Sequence, residues 1–306
     1  MSRDSFPGDP RQADESFDRA QTTRLECRQA QFPHEREALT EPRLEAQVDR
    51  DPRPESEDRR SPYSLGRRTF LLRESEVQAM SDLGTFRVVA ADDLGQFVYA
   101  GDRARMEREL RHLQKQGLIV ERTLPISGRN SLRVVGLTRT GKKLLLPTHR
   151  LPESQALYHE IVKPREAKHD AQLYRLFHAE AARIQNAGGH PLRVLLDYEL
   201  KRHLNREREC LRERRNDLHE IATLAARHGL TVVNGKIPLP DMRIEYQSAD
   251  MELRRIDLEL ATGHYRPRGL AEKAQAGFAI YSPREDAPRL RRILDKQELT
   301  ARIFAL

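Results

Sequence analysis

Three acidic residues in the last third of the chain have the types and spacing of a divalent-metal site. Asp241 follows a proline in the segment 237–246, and Asp257 and Glu259 lie in the segment 253–262; both segments alternate apolar and polar residues. This alternation predicts strands with one buried face, so Asp257 and Glu259 leave the same face of their strand. Converging carboxylates repel unless a cation or a proton lies between them. The pattern therefore predicts a divalent-metal site, and phosphodiester chemistry is the commonest use of such a site.

The same alternation is also typical of the solvated face of a half-buried sheet, which needs no metal. Other chemistries have little support in the sequence. The 11 histidines form no His-x-His or His-x₃-His pair, and neither a nucleotide-binding glycine loop nor a G-x-S-x-G serine motif is present. The alternatives are thus a metal site and a strand whose polar face is only solvated.

Charge is distributed unevenly along the chain. The net charge is +7, yet residues 1–60 hold 11 Arg and 15 acidic residues, so the remainder is strongly basic. A basic body is typical of proteins that bind polyanions such as nucleic acid. The two cysteines, Cys27 and Cys210, form no disulfide framework, and no apolar run is long enough to cross a membrane. We therefore expect a soluble cytoplasmic protein that makes no membrane contact.

Four segments follow from the patterning: a disordered tail over 1–62, a first domain over 63–146, a linker over 147–167 and a second domain over 168–306. The tail has scattered prolines and no sustained apolar period. The first domain is predicted to contain helices over 72–83, 88–99 and 102–116, strands over 118–122 and 131–137, and a closing helix over 142–146. Three helices, a hairpin and a trailing helix are the layout of a winged helix, a DNA-binding fold.

The third of these helices carries the residues that favour binding of double-stranded DNA. Met106, Leu110 and Leu113 share one face, and cations share the other. A basic helix face of this kind suits the major groove, although it is also found on helices that are only solvated. The hairpin tip and the closing helix add further candidates. The predicted DNA contacts are Arg108, Arg111, Lys115, Arg129, Asn130, Lys142 and Lys143.

In the second domain, a helix over 169–185 precedes a strand over 192–200 and a long charged helical insertion over 203–228. The two acid-bearing strands come next. A helix is predicted over 269–281, and one or two more over 287–306. We expect one compact α/β unit and, for the whole chain, an α+β protein.

These residues carry a resemblance to a known family. Pro240-Asp241, Asp257-Leu-Glu259 with Ala261-Thr262, the later Lys273 and Tyr281, and His169 at the start of the first helix resemble the PD-(D/E)XK nuclease-like core. Joined to an upstream winged helix, the core resembles the replication-relaxation family of plasmids and integrative mobile elements. The resemblance implies that Asp241, Asp257 and Glu259 would hold Mg²⁺, with Glu199 in support, and that Lys273 would be catalytic.

One position departs from the nuclease motif. The lysine expected two residues after Glu259 is replaced by Ala261, so Lys273 would have to reach the acids from the next helix. Three functions remain open, one of them a protein–protein adaptor that would use the charged helix over 203–228. The first is a DNA-binding protein of a mobile element, acting in replication, mobilisation or its control, alone, as a homodimer or with replication and mobilisation proteins. The alternative is a Mg²⁺-dependent DNA endonuclease or nickase.

Overall fold

The computed structural model describes residues 59–125, 131–161, 164–210 and 218–306, all within one compact unit, Arg53–Leu306. The fold mixes helices and strands, as predicted. The predicted tail lies outside the described residues up to residue 58. Ser61 and Pro62, which were assigned to it, instead begin a strand that pairs back on Leu72 and Leu71. Hairpin pairing, which the local composition does not reveal, orders these two residues.

The N-terminal half, residues 59–145, contains a β-hairpin, four helices and a three-stranded antiparallel sheet of order β3-β5-β4. Its elements are β1 (Ser61–Leu65), β2 (Arg68–Leu72), α1 (Glu74–Phe86), β3 (Val89–Ala90), α2 (Ala91–Phe97), α3 (Arg103–Lys115), β4 (Ile119–Pro125), β5 (Ser131–Leu137) and α4 (Arg139–Leu145). The predicted helix order, both hairpin strands and the closing helix are confirmed.

Helix α3 begins and ends where its sequence predicts. The Asp102 carboxylate accepts a hydrogen bond from the Arg105 amide at 2.9 Å, which satisfies a free donor of the first turn. Gly117 follows the helix at φ 72°, a conformation that glycine adopts without strain. Helix α4 is capped by the Thr138 hydroxyl, which accepts from the Gly141 amide at 3.1 Å.

The C-terminal half, residues 164–306, is built on a five-stranded sheet of order β10-β9-β8-β7-β6. The strands β6, β7 and β8 form an antiparallel meander, and β9 and β10 add in parallel. Its elements are α5 (Pro164–Asn186), β6 (His190–Leu196), α6 (Asp197–Cys210), α7 (Leu218–Arg227), β7 (Met242–Gln247), β8 (Leu253–Leu260), α8 (Pro267–Gln275), β9 (Ala279–Ser282), α9 (Ala287–Asp295) and β10 (Ile303–Ala305).

Several element predictions in this half were wrong at their ends, and the strand predicted over 237–246 begins only at Met242. The strand predicted over 192–200 stops at Leu196, and residues 197–200 form the first turn of α6. The helix predicted over 269–281 stops at Gln275, so Tyr281 lies on strand β9, and the last segment ends in strand β10. Short parallel strands are defined by their sheet neighbours, and a few apolar residues do not separate a strand from a helix. The middle of the charged insertion, 211–217, lies outside the described residues.

The segment predicted as a linker is packed against both halves. We call residues 146–161 the strap. The Gln155 side chain bonds both backbone groups of Val194 on β6, at 2.8 and 2.9 Å, while the Tyr158 amide donates to the Gly84 carbonyl on α1 at 2.7 Å. A Cβ atom at Gly84 would lie 2.8 Å from the Cδ2 atom of Leu157, so glycine leaves room for the Leu157 side chain as it is placed here. The strap therefore joins α1 to the sheet.

Aromatic packing joins the two halves directly. Tyr174 on α5 is fully buried and meets Phe86 and Phe97 edge to face, with ring centroids 5.1 and 5.7 Å apart. Its hydroxyl donates to the Asp82 carboxylate at 2.6 Å. Burial raises the pKa of Asp82 to about 6, and the Tyr174 hydrogen bond opposes that rise by stabilising the ionised form. One continuous hydrophobic core thus runs from α1 to the sheet of the C-terminal half.

We predict that Tyr174→Phe lowers the free energy of unfolding by about 1–3 kcal/mol, because it leaves a buried carboxylate short of one donor. The loss should be larger at pH 8 than at pH 5, since the hydroxyl stabilises the ionised Asp82. Urea denaturation at both pH values measures it. Tyr246→Phe, at a half-buried tyrosine of β7, is the control. Equal losses in the two variants would contradict the assigned role of the Asp82 bond.

Candidate functional site

Strands β7 and β8 bring four charged residues to one face of the sheet. Arg243 pairs with Asp257 across the two strands, and Met242 pairs with Leu258. Asp241 lies one residue before β7 and Glu259 one residue after Leu258, so the same alternation places these acids side by side. Asp257 and Glu259 leave the same face, as the sequence predicts.

Asp257 is held by an arginine. The Arg243 Nε and Nη2 atoms donate to its two carboxylate oxygens at 2.6 and 2.8 Å, and Arg243 Nη1 donates to the His228 carbonyl at 2.6 Å. A two-point ion pair of a buried arginine uses both oxygens of the acid. The structure therefore separates Asp257 from the proposed metal ligands, and the three-acid arrangement predicted from spacing is not formed.

Glu259 is almost fully buried, with an exposed side-chain fraction of 2%, and is held by Lys273. The Lys273 Nζ atom on α8 lies 2.8 Å from Glu259 Oε2 and also donates to the Leu239 carbonyl, while the Tyr265 hydroxyl donates to Glu259 Oε1. Ala261, at the motif position of the lysine, is buried with its amide on the Tyr281 carbonyl at 2.8 Å. The amine thus comes from α8, as the sequence requires.

Asp241 is fixed from three directions. Its Oδ2 atom accepts from the Leu260 amide at 2.8 Å, and its Oδ1 atom lies 3.4 Å from the Nε2 atom of His169 on α5. The Asp241 carbonyl accepts from the Asp197 amide at 3.1 Å, where α6 begins. We call Asp241, Glu259, Lys273, His169 and Asp197 the acid cluster.

Electrostatics within the acid cluster favour a bound proton or cation. Burial raises the pKa of Glu259 to about 7; the charge of Asp241 adds to the rise and Lys273 opposes it. Burial likewise raises the pKa of Asp197, with a smaller contribution from Asp241. Burial lowers the pKa of His169, but the hydrogen bond and charge of Asp241 outweigh it and the net direction is upward. Each shift opposes further negative charge at this place.

Three residues in or next to the acid cluster were missed or misplaced by the sequence prediction. Asp197 was assigned to the interior of a strand, although an acid at the first position of a helix is a recognisable signal. Glu199, expected to support the metal from the strand end, lies on α6, where it is buried and paired with Arg193. Tyr265, which bonds Glu259, had no signal beyond its place after β8.

Mg²⁺ prefers oxygen ligands, and the carboxylates of Asp241 and Glu259 offer them. In the part of the chain that the structure describes, no three His, Cys, Asp or Glu side chains are grouped so that they could hold a metal ion. The residues present could therefore supply two carboxylate ligands, not the three predicted. The remaining coordination positions would belong to water or to a phosphate oxygen.

The outer face of α3 is the second candidate surface. Arg108, Arg111 and Lys115 are exposed, and Met106, Leu110 and Leu113 on the other side are buried. Lys143 on α4 is exposed as well. Lys142 instead donates to the Leu157 carbonyl at 2.6 Å, which secures the strap. Arg129 and Asn130 lie outside the described residues.

Hydrogen bonds to two buried glutamates hold α3 on α1. Glu76 on α1 bonds the Nδ1 atom of His112 at 2.6 Å, and Glu109 on α3 accepts from the Ser75 hydroxyl at 2.6 Å. Both glutamates are almost fully buried, so these bonds are shielded from competing water. They set the rotation of α3 that turns its cations outward.

Neither protein-family models nor curated proteins give a match to this chain. None of the helices in the described ranges is long and apolar enough to span a bilayer.

We predict that Glu259→Gln flattens the pH dependence of stability. In the wild type the raised pKa means that the folded state binds this proton more tightly than the unfolded state, so stability falls as the pH rises from about 4.5 to about 7. That fall, on the order of 1–3 kcal/mol, should be reduced in the variant. Denaturant titrations from pH 4.5 to 8 measure it. The exposed Glu285→Gln is the control, and wild-type pH dependence in Glu259→Gln would count against the electrostatic account.

Proposed function

We propose that this protein binds double-stranded DNA through helix α3. The observation that carries the proposal is the division of α3 into a buried apolar face and an exposed face with Arg108, Arg111 and Lys115. A helix of this kind fits the major groove, where its cations meet phosphates and base edges. Lys143 on α4 is placed to add a phosphate contact from a neighbouring element.

The order of elements supports the proposal. Helix α1, strand β3, helices α2 and α3, and the hairpin β4–β5 follow the order of a winged helix, with the antiparallel sheet β3-β5-β4 behind the helices. In that fold the third helix enters the major groove and the hairpin approaches the backbone beside it. The candidate contacts on α3 therefore lie on the helix that the fold uses for DNA.

The C-terminal half supports a role in DNA processing. Helix α5, the antiparallel meander β6-β7-β8, helix α8 and the parallel strand β9 follow the order of a PD-(D/E)XK nuclease-like core, with Asp241 and Glu259 at the place of its motif. Together with a winged helix, this resembles the replication-relaxation family. We propose that the protein acts in the cytoplasm on the DNA of a mobile element, in its replication, its mobilisation or the control of either.

Replacing Arg108, Arg111 and Lys115 together by alanine should weaken duplex binding and flatten its salt dependence. Each lost phosphate contact reduces the slope of log K against log salt by about 0.9, so the triple variant should lose up to about 3. Fluorescence anisotropy with a labelled duplex at several salt concentrations measures both quantities.

A matched control is the triple alanine variant of Arg289, Arg292 and Lys296, which are exposed cations on or next to α9. It changes the net charge by the same amount and should retain the wild-type slope. If both triple variants bind alike, α3 is not the DNA-binding surface.

A second function, Mg²⁺-dependent cleavage of DNA, is favoured by the 2.8 Å contact between Lys273 and Glu259 beside Asp241. Asp241 and Glu259 would hold the ion, which supplies Lewis-acid polarisation of a phosphate oxygen when bound. Lys273 orients Glu259 and brings a positive charge toward an anionic phosphate. His169 and the Leu260 amide orient Asp241. Asp257 has no direct part, because Arg243 holds it.

If this second function is correct, supercoiled plasmid should be nicked or cut with Mg²⁺ or Mn²⁺, and Asp241→Asn should lower the rate by at least about a hundredfold. Asp257→Asn is the matched control: it changes an acid on the same face and should keep cleavage while lowering stability, because it leaves Arg243 buried without its partner. Agarose-gel analysis of plasmid topology gives the rates. No cleavage with either ion by pure wild-type protein would exclude the enzymatic function and leave the DNA-binding proposal in place.

A further inference from the structure

Arg87, between α1 and β3, adopts a backbone conformation that an arginine rarely takes. Its φ is 65° and its ψ is −52°, and the Val88 amide donates to the Phe86 carbonyl at 2.7 Å. This is the γ-turn with a positive φ at its central residue, which is uncommon and strained for any residue with a Cβ atom. Such a conformation persists only where surrounding contacts hold it, and it is often found at functional sites.

The Arg87 side chain extends from the N-terminal half into the C-terminal half. It is buried, with 7% of the residue exposed. Its Nη1 atom lies 3.3 Å from Asp170 Oδ2 on α5, and its guanidinium group lies 3.9 Å above the centre of the Tyr198 ring on α6. The Tyr198 hydroxyl donates in turn to Glu166 on α5 at 2.5 Å. Arg87 thus joins the N-terminal part of α5 to the first turn of α6.

Burying the charged Arg87 side chain costs hydration free energy, which the packing around it does not explain. Among the described residues, Arg87 Nη1 has no hydrogen-bond partner, although Asp170 lies within ion-pair distance. Burial raises the pKa of Asp170 to about 6, and the charge of Arg87 opposes that rise. A buried charged pair is weak evidence for stability, because the loss of hydration offsets much of the attraction.

Both contacts of Arg87 lie next to residues that fix Asp241. Asp170 directly follows His169, whose Nε2 atom lies 3.4 Å from Asp241 Oδ1. Tyr198 directly follows Asp197, whose amide donates to the Asp241 carbonyl at 3.1 Å. A displacement of either neighbour would therefore move a group that holds Asp241.

We propose that Arg87 is a positioning residue that the N-terminal half supplies to the acid cluster, holding His169 and Asp197 against Asp241. The N-terminal half, which carries α3, thereby completes the acid cluster of the C-terminal half. The acid cluster therefore has this geometry only when the two halves are packed together. The functional meaning of this contact rests on the proposed role of the acid cluster in DNA cleavage.

Hydrogen exchange of single amides, measured by NMR on the full chain without DNA or metal, tests the proposal. The amides of Asp197 and Leu260 both donate to Asp241 and report on its position. In Arg87→Met they should exchange about tenfold faster or more than in the wild type, while the Ile244 amide in the middle of β7 keeps its rate. Arg87→Lys keeps the charge beside Asp170 and should give an intermediate effect.

Arg175→Met is the control variant. Arg175 also joins α5 to the N-terminal half, through Asp93 on α2 at 2.7 Å, and its replacement should leave the Asp197 and Leu260 amides unchanged. Tyr198→Leu removes the ring that stacks on the Arg87 guanidinium, and it should reproduce the effect of Arg87→Met. The test therefore stays decisive if one of the two variants does not fold.

Wild-type exchange rates at Asp197 and Leu260 in Arg87→Met would overturn the proposal. Equal acceleration of Ile244 would also overturn it, because the role of Arg87 would then be general stability. The amides are measured without substrate, so this outcome is decided separately from cleavage. A wild-type protein that cleaves no DNA removes the nuclease function without changing the exchange result.

Discussion

The packing of helix α5 against the N-terminal half is the constraint on which the acid cluster depends. Its Tyr174 ring packs on Phe86 and Phe97, and such aromatic pairs contribute about 0.5–1.5 kcal/mol each beyond the area they bury. The same helix carries His169 five residues earlier, beside Asp241. Because helix and core are close-packed, the aromatic contacts that fix α5 against α1 also fix the imidazole against the acid.

Charge is arranged on the sheet so that two neighbouring acids have different surroundings. Asp257 is neutralised by Arg243 in a two-point ion pair, whereas Glu259 is paired with Lys273 and Asp241 lies beside His169. Burial disfavours the ionised carboxylate of Glu259, and so its pKa rises to about 7 although Lys273 opposes the rise. Two carboxylates, two residues apart on one strand, thus differ in their surroundings: Asp257 is paired with Arg243, and Glu259 is buried with a raised pKa.

Much of the fold could be predicted because its signals are local. Asp102 and Gly117 bound α3 through capping and a positive φ, and strand Ser131–Leu137 follows from its β-branched, apolar composition. The acid cluster could be predicted only in part. Asp241, Glu259 and Lys273 come together as expected, but Asp197 was assigned to a strand. Its role depends on α6 starting at that residue and on its amide meeting the Asp241 carbonyl, which no local pattern encodes.

The sequence by itself determined the division of α3 into an apolar and a basic face and the approach of two acids on adjacent strands, because helical and strand periodicity are properties of consecutive residues. Only the tertiary structure decided which partner each charge meets. It paired Asp257 with Arg243, brought Lys273 to Glu259 and carried Arg87 from one half to Asp170 in the other. These partners are 14, 14 and 83 residues apart in the sequence, and their meeting depends on the packing of whole helices and strands.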